Sequence, residues 1–153
     1  MSERVIARAR QLGLQVQVQR LEASTRTVSD AAVAVGCQEA EIAKSIVFVC
    51  DGDPIVCVAS GKHRIDVDKL ADALDCAEIR QATAAEVRAA TGYAIGGVPP
   101  CGHDLPVIFD EQLLAHERVW AAAGDPHSLF EVDPRALAER VDARVADVGD
   151  LGD

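Results

Sequence analysis

The hydrophobic positions change their period along the chain, and the change predicts helices alternating with strands. Four apolar residues between Val5 and Leu12 share one helical face and Gly13 follows them, which predicts a first helix ending at this glycine. Segment 14–19 then alternates apolar residues with glutamines, the two-residue period of a half-buried strand. A helix followed directly by a strand therefore opens the chain.

The strongest strand signals lie in the middle of the chain. Residues 45–50 form a nearly continuous apolar run, turn-forming residues fill 51–54, and 55–59 mirrors the first run. Apolar runs on both sides of such a turn predict two buried strands paired as a hairpin. A short helix capped by Ser29 and ended by Gly36 is predicted before them. The hairpin is expected at the centre of the sheet.

Helix-capping signals organise the rest of the chain. Asp66 is predicted to cap a helix, Thr83 and Glu86 to form a capping box, and Asp133 to cap a last helix that begins with Pro134. Glycines and prolines are so dense over 93–104 that this segment predicts a shaped loop. Short strands are predicted at 77–79, 105–109, 118–122, 129–132 and 144–148.

This pattern mixes hairpin signals with helices between strands. We therefore predict an α+β (mixed α/β) fold with one central mixed, largely antiparallel sheet flanked by helices. No linker, repeat or low-complexity tract divides the 153 residues, so residues 1–153 are expected to form a single domain.

Composition and charge restrict the possible binding partners and the cellular location of the protein. Fifteen basic against 25 acidic residues give a net charge of −10, which repels phosphate backbones and limits any nucleic-acid contact to a small local site. Five cysteines without a C-x-x-C pair or zinc-finger spacing predict reduced thiols, no metal site and a cytoplasmic location. The N-terminal segment resembles no signal peptide, and no apolar run approaches the length of a membrane span.

Lys44 is the first candidate for chemistry, because it stands at the start of an apolar strand. A lysine in this position is either a flanking residue that reaches solvent, which is the commoner case, or a cation directed into a pocket. The residue type alone leaves both roles open.

A glycine- and proline-rich loop is the second candidate. Its glycines allow close approach of a ligand to backbone N–H groups and its prolines fix its shape, which suits an anion or a developing oxyanion. A tight turn packed on the sheet is the commoner alternative. The loop consists of Gly96, Gly97, Val98, Pro99 and Pro100.

The remaining polar candidates are less specific. A short basic segment, 61–64, is suited equally to phosphate contact and to plain solvation. Ser60 and Cys101 have no recognisable neighbouring base, so covalent catalysis is not expected. No carboxylate pair or metal-ligand spacing is present, which predicts a site without metal or cofactor.

Several motifs in order carry a resemblance to a known family. They are the Ala-Lys-Ser strand at 43–49, Ala59-Ser60-Gly61, the helix after Asp66, the loop Thr91-Gly92-Tyr93-Ala94-Ile95-Gly96-Gly97-Val98-Pro99-Pro100 and the segment 124–130. Together they resemble the YbaK/ProX (EbsC-like) family, the aminoacyl-tRNA editing domains related to the insertion domain of bacterial prolyl-tRNA synthetase. The resemblance covers nearly the whole chain.

The resemblance implies a stand-alone deacylase that hydrolyses the ester of tRNA mischarged with a small amino acid. Lys44 would be the functional lysine, and the loop from Gly96 to Pro100 would polarise the ester carbonyl. Ser45 replaces the Asn of alanyl-specific members, so the amino acid removed stays open. The candidate substrate-binding residues are Ser45, Ser60, Gly61, Lys62, His63, Tyr93 and His127.

The expected partner is the acceptor end of an aminoacyl-tRNA, with an aminoacyl-tRNA synthetase as a second candidate. A non-catalytic module that binds a nucleotide or an aminoacyl ligand is the alternative, because fold analogy does not establish catalysis. A bare interaction domain ranks last. The deacylase hypothesis predicts that Lys44 faces a cleft also lined by Gly96 to Pro100, with its ammonium near the loop rather than in solvent.

Overall fold

The computed structural model describes residues 2–22, 25 and 27–150, and a mixed sheet forms its centre. The strands are β1 Gln17–Arg20, β2 Ile42–Cys50, β3 Asp53–Ser60, β4 Arg64–Ile65, β5 Ile79–Gln81, β6 Val107–Asp110, β7 Val119–Ala122, β8 Ser128–Val132, β9 Arg144–Ala146 and β10 Gly149–Asp150. The helices are α1 Ser2–Gln11, α2 Val28–Val35, α3 Val67–Leu74, α4 Ala84–Thr91 and α5 Pro134–Arg140, with 3₁₀ turns at Glu39–Glu41 and Glu111–Ala115. Within the described part of the chain, no helix has the length and apolarity needed to cross a membrane.

The main sheet has the strand order β1-β8-β7-β2-β3-β6-β9, and β5 also pairs with β2. β7 with β2, β3 with β6 and β6 with β9 are parallel neighbours, whereas the other pairs in this sheet are antiparallel. β4 and β10 form a separate antiparallel pair. The predicted mixed sheet flanked by helices is confirmed, with the β2–β3 hairpin near its middle.

The turn of this hairpin follows directly from its residues. Asp51 and Gly52 have φ values of 49° and 89°, the left-handed pair that a two-residue hairpin turn needs to match the strand twist. Cys50 therefore pairs with Asp53, and the register runs back to Ala43 opposite Ser60.

Most predicted helix boundaries are confirmed by their hydrogen bonds. Asp66 accepts from two amides of α3, Thr83 and Glu86 form the capping box of α4, and Asp133 caps α5 ahead of Pro134. The predicted cap of α2 is wrong, because Thr27 rather than Ser29 accepts from the Asp30 amide. Ser29 lies inside the helix.

The two faces of β2 belong to different hydrophobic clusters. Val47 and Val49 pack with Phe109 on one face, whereas Phe48 packs with Leu70 on the other. Neighbouring residues of β2 therefore serve opposite sides of the sheet, as the strand period requires.

Cysteine pairing corrects one expectation. Cys50, at the end of β2, and Cys76, just after α3, form a disulfide with Cα atoms 5.7 Å apart, so not all five cysteines are free thiols. Their separation of 26 residues gave no sequence signal, because tertiary packing brings them together. Cys37, Cys57 and Cys101 are free.

Candidate active site

One edge of β2 lacks a neighbouring strand over part of its length in the described structure. β7 pairs with Ile42 and Ala43, and β5 pairs with Phe48 to Cys50, which leaves 44–47 between them. The Val47 carbonyl accepts from Ala82 on this side, whereas the Ile42 carbonyl accepts from Gly61 on the other. Because backbone groups alternate between edges, the amide and carbonyl of Ser45 face this gap.

A cavity of about 250 Å³ lies at the gap. α2 and β2 contribute much of its wall, and Gly96 and Val98 contribute a further part. Its lining is mainly apolar, with Lys44, Ser45 and Gln81 among the polar members. The full set is Thr25, Thr27, Val28, Ala31, Ile42, Ala43, Lys44, Ser45, Ile46, Val47, Gln81, Ala82, Val87, Ile95, Gly96, Val98, Ala122 and Leu129. Such a small, mostly apolar space fits a small side chain beside a few polar groups.

Lys44 borders this cavity but directs its ammonium to the opposite face of β2 from Ser45. Its Nζ donates to the His63 carbonyl at 2.9 Å. Burial lowers the pKa of the Lys44 ammonium, and the negative charge of Asp110 opposes part of that shift. Val98 belongs to the cluster of Ala43 on the other face. Lys44 and the loop therefore both border the cavity, but the expectation that the ammonium lies near the loop is wrong, because the side chain of Lys44 leaves β2 on the opposite face from Val98.

The glycine- and proline-rich loop has one position that requires glycine. Gly96 has a φ of 85°, a left-handed conformation that side chains with a Cβ rarely adopt. The next amide, of Gly97, donates to the Ala94 carbonyl at 2.9 Å and closes a tight turn. Gly97, Pro99 and Pro100 are buried and do not line the cavity, contrary to the expectation that the whole loop borders the site.

The other predicted substrate-binding residues lie outside the described lining of the cavity. The Ser60 hydroxyl donates to the Ala40 carbonyl at 3.1 Å, and Tyr93 is fully buried with its hydroxyl donating to the Gly102 carbonyl. The His127 amide donates to an Asp125 carboxylate oxygen at 2.8 Å. The cavity lining also omits Gly61, Lys62 and His63.

The side chain and the backbone of Ser45 lie in different surroundings. Its Oγ is buried and has no hydrogen-bond partner among the described residues. The hydroxyl is thus out of reach of the cavity space, and the part of Ser45 offered to a ligand is its backbone edge.

Asp110 is the polar residue of this region that sequence reasoning missed. Its carboxylate has no solvent exposure, and Oδ2 lies 2.8 Å from His63 Nε2. In sequence it stands at the end of an apolar strand, where an aspartate that caps the following turn is ordinary. Thr25, Thr27 and Gln81, which line the cavity, carried no recognisable motif either.

The fold is a mixed α/β domain with a small cavity at an interrupted sheet edge, and comparison with known proteins identifies its family. Residues 22–139 match the Aminoacyl-tRNA editing domain, and the chain belongs to this family. A solved structure described as a candidate trans-editing enzyme for prolyl-tRNA synthetase is 43% identical, with a TM-score of 0.89 over 97% of this chain and 96% of that one. The predicted family and fold are thereby confirmed.

Two curated relatives show how the domain occurs elsewhere. The uncharacterized protein YwhH of Bacillus subtilis is 36% identical over 125 residues, covering 80% of this chain and 79% of YwhH. A proline–tRNA ligase of Solidesulfovibrio magneticus is 36% identical over 110 residues, which are 70% of this chain but 19% of the ligase. The matched region is thus a small part of that synthetase.

Proposed function

We propose that this protein is a stand-alone aminoacyl-tRNA deacylase that removes a small amino acid from mischarged tRNA. The observation that supports this most is the small cavity at the open edge of β2, bordered by Lys44 and by the Gly96 turn, in a member of the editing-domain family. The likeness to a candidate trans-editing enzyme over nearly the whole chain supports action outside a synthetase.

The reaction is hydrolysis of the ester between the amino acid and the terminal ribose. A water oxygen adds to the carbonyl carbon, the bond from that carbon to the ribose oxygen breaks, and the proton from water passes to the departing ribose oxygen. Negative charge develops on the carbonyl oxygen in between. The Ser45 amide, which faces the cavity, and the amide of Gly96 in its lining are suited to stabilise it, whereas the Gly97 amide is already bonded to the Ala94 carbonyl. One such donor is typically worth ~10²–10³ in rate.

Specificity would come from the size of the cavity. Ala31, Ala43 and Ala82 lie in its wall. A cavity of about 250 Å³ would by itself hold an aromatic ring, but here it must also hold the ester and part of the terminal ribose, which leaves room for a methyl, hydroxyl or thiol side chain. An apolar pocket discriminates one methylene by only ~1–3 kcal/mol, so several small amino acids are expected to be hydrolysed at comparable rates. Large aromatic side chains are excluded by overlap.

Lys44 would contribute a cation for the acceptor end of the tRNA. Its ammonium carries three N–H groups, and the described hydrogen bond to His63 uses one of them. A single, partly buried cation is a small, local contact, which is compatible with a net charge of −10.

The test is a deacylation screen with tRNAs charged with Ala, Ser, Thr, Cys, Pro and Phe. We expect hydrolysis of small aminoacyl groups and none of Phe-tRNA. Lys44→Ala is expected to abolish the activity with little change in melting temperature, because Lys44 borders the site and is only partly buried. Arg118→Ala, which removes an exposed cation elsewhere, is the control and keeps wild-type activity.

Two outcomes would contradict the proposal. Equal rates for Phe- and Ala-tRNA would refute the small-pocket explanation of specificity. Absence of hydrolysis of every charged tRNA would overturn the deacylase assignment and favour a binding module that uses the same cavity.

A further inference from the structure

A chain of buried polar contacts ends at Lys44 on the face of β2 away from the Gly96 turn. Lys44 Nζ donates to the His63 carbonyl at 2.9 Å. The ring of the same histidine places Nε2 2.8 Å from Asp110 Oδ2, and the two side chains are 7% and 0% exposed. One residue, His63, therefore connects a buried carboxylate to the lysine.

The Asp110 carboxylate is held on three sides. Oδ2 also accepts from the Ser60 amide at 3.0 Å, and Oδ1 accepts from the Gln112 amide at 3.0 Å. An ionised carboxylate only accepts hydrogen bonds, so Nε2 of His63 carries the proton between them. A buried charge is tolerated only with such a complete set of donors, which fixes the carboxylate and the ring against it.

Gly149 packs against the Nε2 end of the histidine ring, the end that also contacts Asp110. A Cβ at this position would overlap the ring of His63, so the absence of a side chain makes room for the ring. Pairing of β10 with β4 places Gly149 opposite Ile65, two residues after the histidine. Asp110 and the backbone of β10 thus both fix the Nε2 end of the ring, which holds the backbone of His63, including its carbonyl, in place.

We infer that Asp110 and His63 are positioning residues that hold the Lys44 ammonium for the reaction, through the His63 carbonyl. This inference rests on the proposed deacylase function. Neither side chain lines the cavity, so both act through Lys44 rather than on the substrate.

The pKa of Lys44 is a property that distinguishes the proposed role of Asp110 from a purely structural one. It depends on the charges around the ammonium, so it changes when the Asp110 charge is removed. Burial lowers the pKa of the ammonium; Cys57 and Asp110 oppose the shift, and Arg64 adds to it. His63 faces the ammonium through its carbonyl dipole. Loss of the Asp110 charge therefore lowers the pKa of Lys44 further, and the ammonium is lost at a lower pH.

The variants are Asp110→Asn, which keeps the shape and removes the charge, and His63→Gln. Asp133→Asn is the matched control, because Asp133 also caps a helical turn and accepts from the amides of Arg135 and Ala136. We expect Asp110→Asn to lower kcat on the order of 10–100-fold, as misplacement of a functional group does, with KM nearly unchanged. The alkaline limb of its pH–rate profile moves to lower pH, and the control leaves kcat and the profile unchanged.

A second measurement is independent of catalysis. The chain has three lysines, Lys44, Lys62 and Lys69, so ¹³C-labelled lysine gives three Cε signals, and Lys44→Arg identifies the relevant one. We expect the Lys44 signal to titrate at lower pH in Asp110→Asn than in the wild type. Wild-type kcat together with an unmoved titration in the folded variant would overturn the inference.

Failure of the inference and failure of the proposed function are distinguishable. A wild-type protein without deacylase activity overturns the function, whereas the lysine titration still decides whether the charge of Asp110 acts on the ammonium. If Asp110→Asn does not fold, His63→Gln takes its place. A wild-type kcat in that variant overturns the inference.

Discussion

Replacement of Ser45 by alanine is expected to stabilise the protein. The Ser45 hydroxyl is buried and has no hydrogen-bond partner among the described residues. In the unfolded chain the same hydroxyl is bonded to water, so folding removes those bonds without replacing them. Alanine keeps the Cβ and removes the unpaired group.

The size of the effect follows from two opposing contributions. A buried polar group left unpaired costs ~1–3 kcal/mol, which the substitution recovers. Removal of one oxygen leaves a void of roughly 10 Å³, which costs ~0.2 kcal/mol at the usual price per unit volume. A net gain of about 1 kcal/mol or more remains, and for a chain of this length it raises the melting temperature by roughly 2–4 °C.

Ser60→Ala is the matched comparison with the opposite sign. The Ser60 hydroxyl donates to the Ala40 carbonyl at 3.1 Å and accepts from the Lys62 amide at 3.3 Å. Its removal leaves both backbone groups without this partner and is expected to cost ~1–3 kcal/mol. Thermal unfolding of the wild type and both variants, followed by circular dichroism, measures the pair. A lower melting temperature for Ser45→Ala would refute the reasoning, since it would mean that the hydroxyl is paired.

Two further predictions concern the disulfide and a buried histidine. Reduction of Cys50–Cys76, 26 residues apart, is expected to lower the free energy of unfolding by about 3.5 kcal/mol; urea unfolding with and without reductant measures it, and Cys50→Ser should be insensitive to reductant. Burial lowers the pKa of His103 to about 4 from 6.5. Because the unfolded state then binds the proton first, stability falls as pH drops from 6.5 towards 4, by on the order of 3 kcal/mol. Melting temperatures across this range should depend less on pH in His103→Gln, and an unchanged dependence would contradict the assignment.

The elements that sequence predicted well are those specified by neighbouring residues. The left-handed turn at Asp51 and Gly52 and the capping box of Thr83 and Glu86 depend on bonds within a few residues. Local chemistry of this kind is readable before the fold is known. The error at α2 has the same origin, because two candidates only two positions apart, Thr27 and Ser29, satisfy the same local rule.

The features that sequence could not predict join residues far apart in the chain. Cys50 reaches Cys76 across 26 residues, and His63 reaches Asp110 across 47. No periodicity or spacing marks such pairs, because the first depends on how α3 packs against β2 and the second on how the loop after β3 packs against the end of β6. His63 was accordingly expected in a substrate-facing basic segment, whereas its ring is buried against a carboxylate.

The cavity itself arises from a strand edge that is left unpaired, which explains why residue patterns alone left the role of Lys44 open. The apolar run predicted β2 as a buried strand, and a buried strand normally has both edges paired. Here β7 pairs with β2 only as far as Ala43, and β5 pairs with β2 only from Phe48 onwards. The backbone of Ser45 therefore faces a cavity and not a neighbouring strand. Strand propensity is the same for a paired and an unpaired edge, so only the register of the neighbours reveals the gap. The family resemblance identifies Lys44 from its sequence context. The unpaired amide of the next residue, Ser45, can be identified only once the pairing of β2 with β5 and β7 is known.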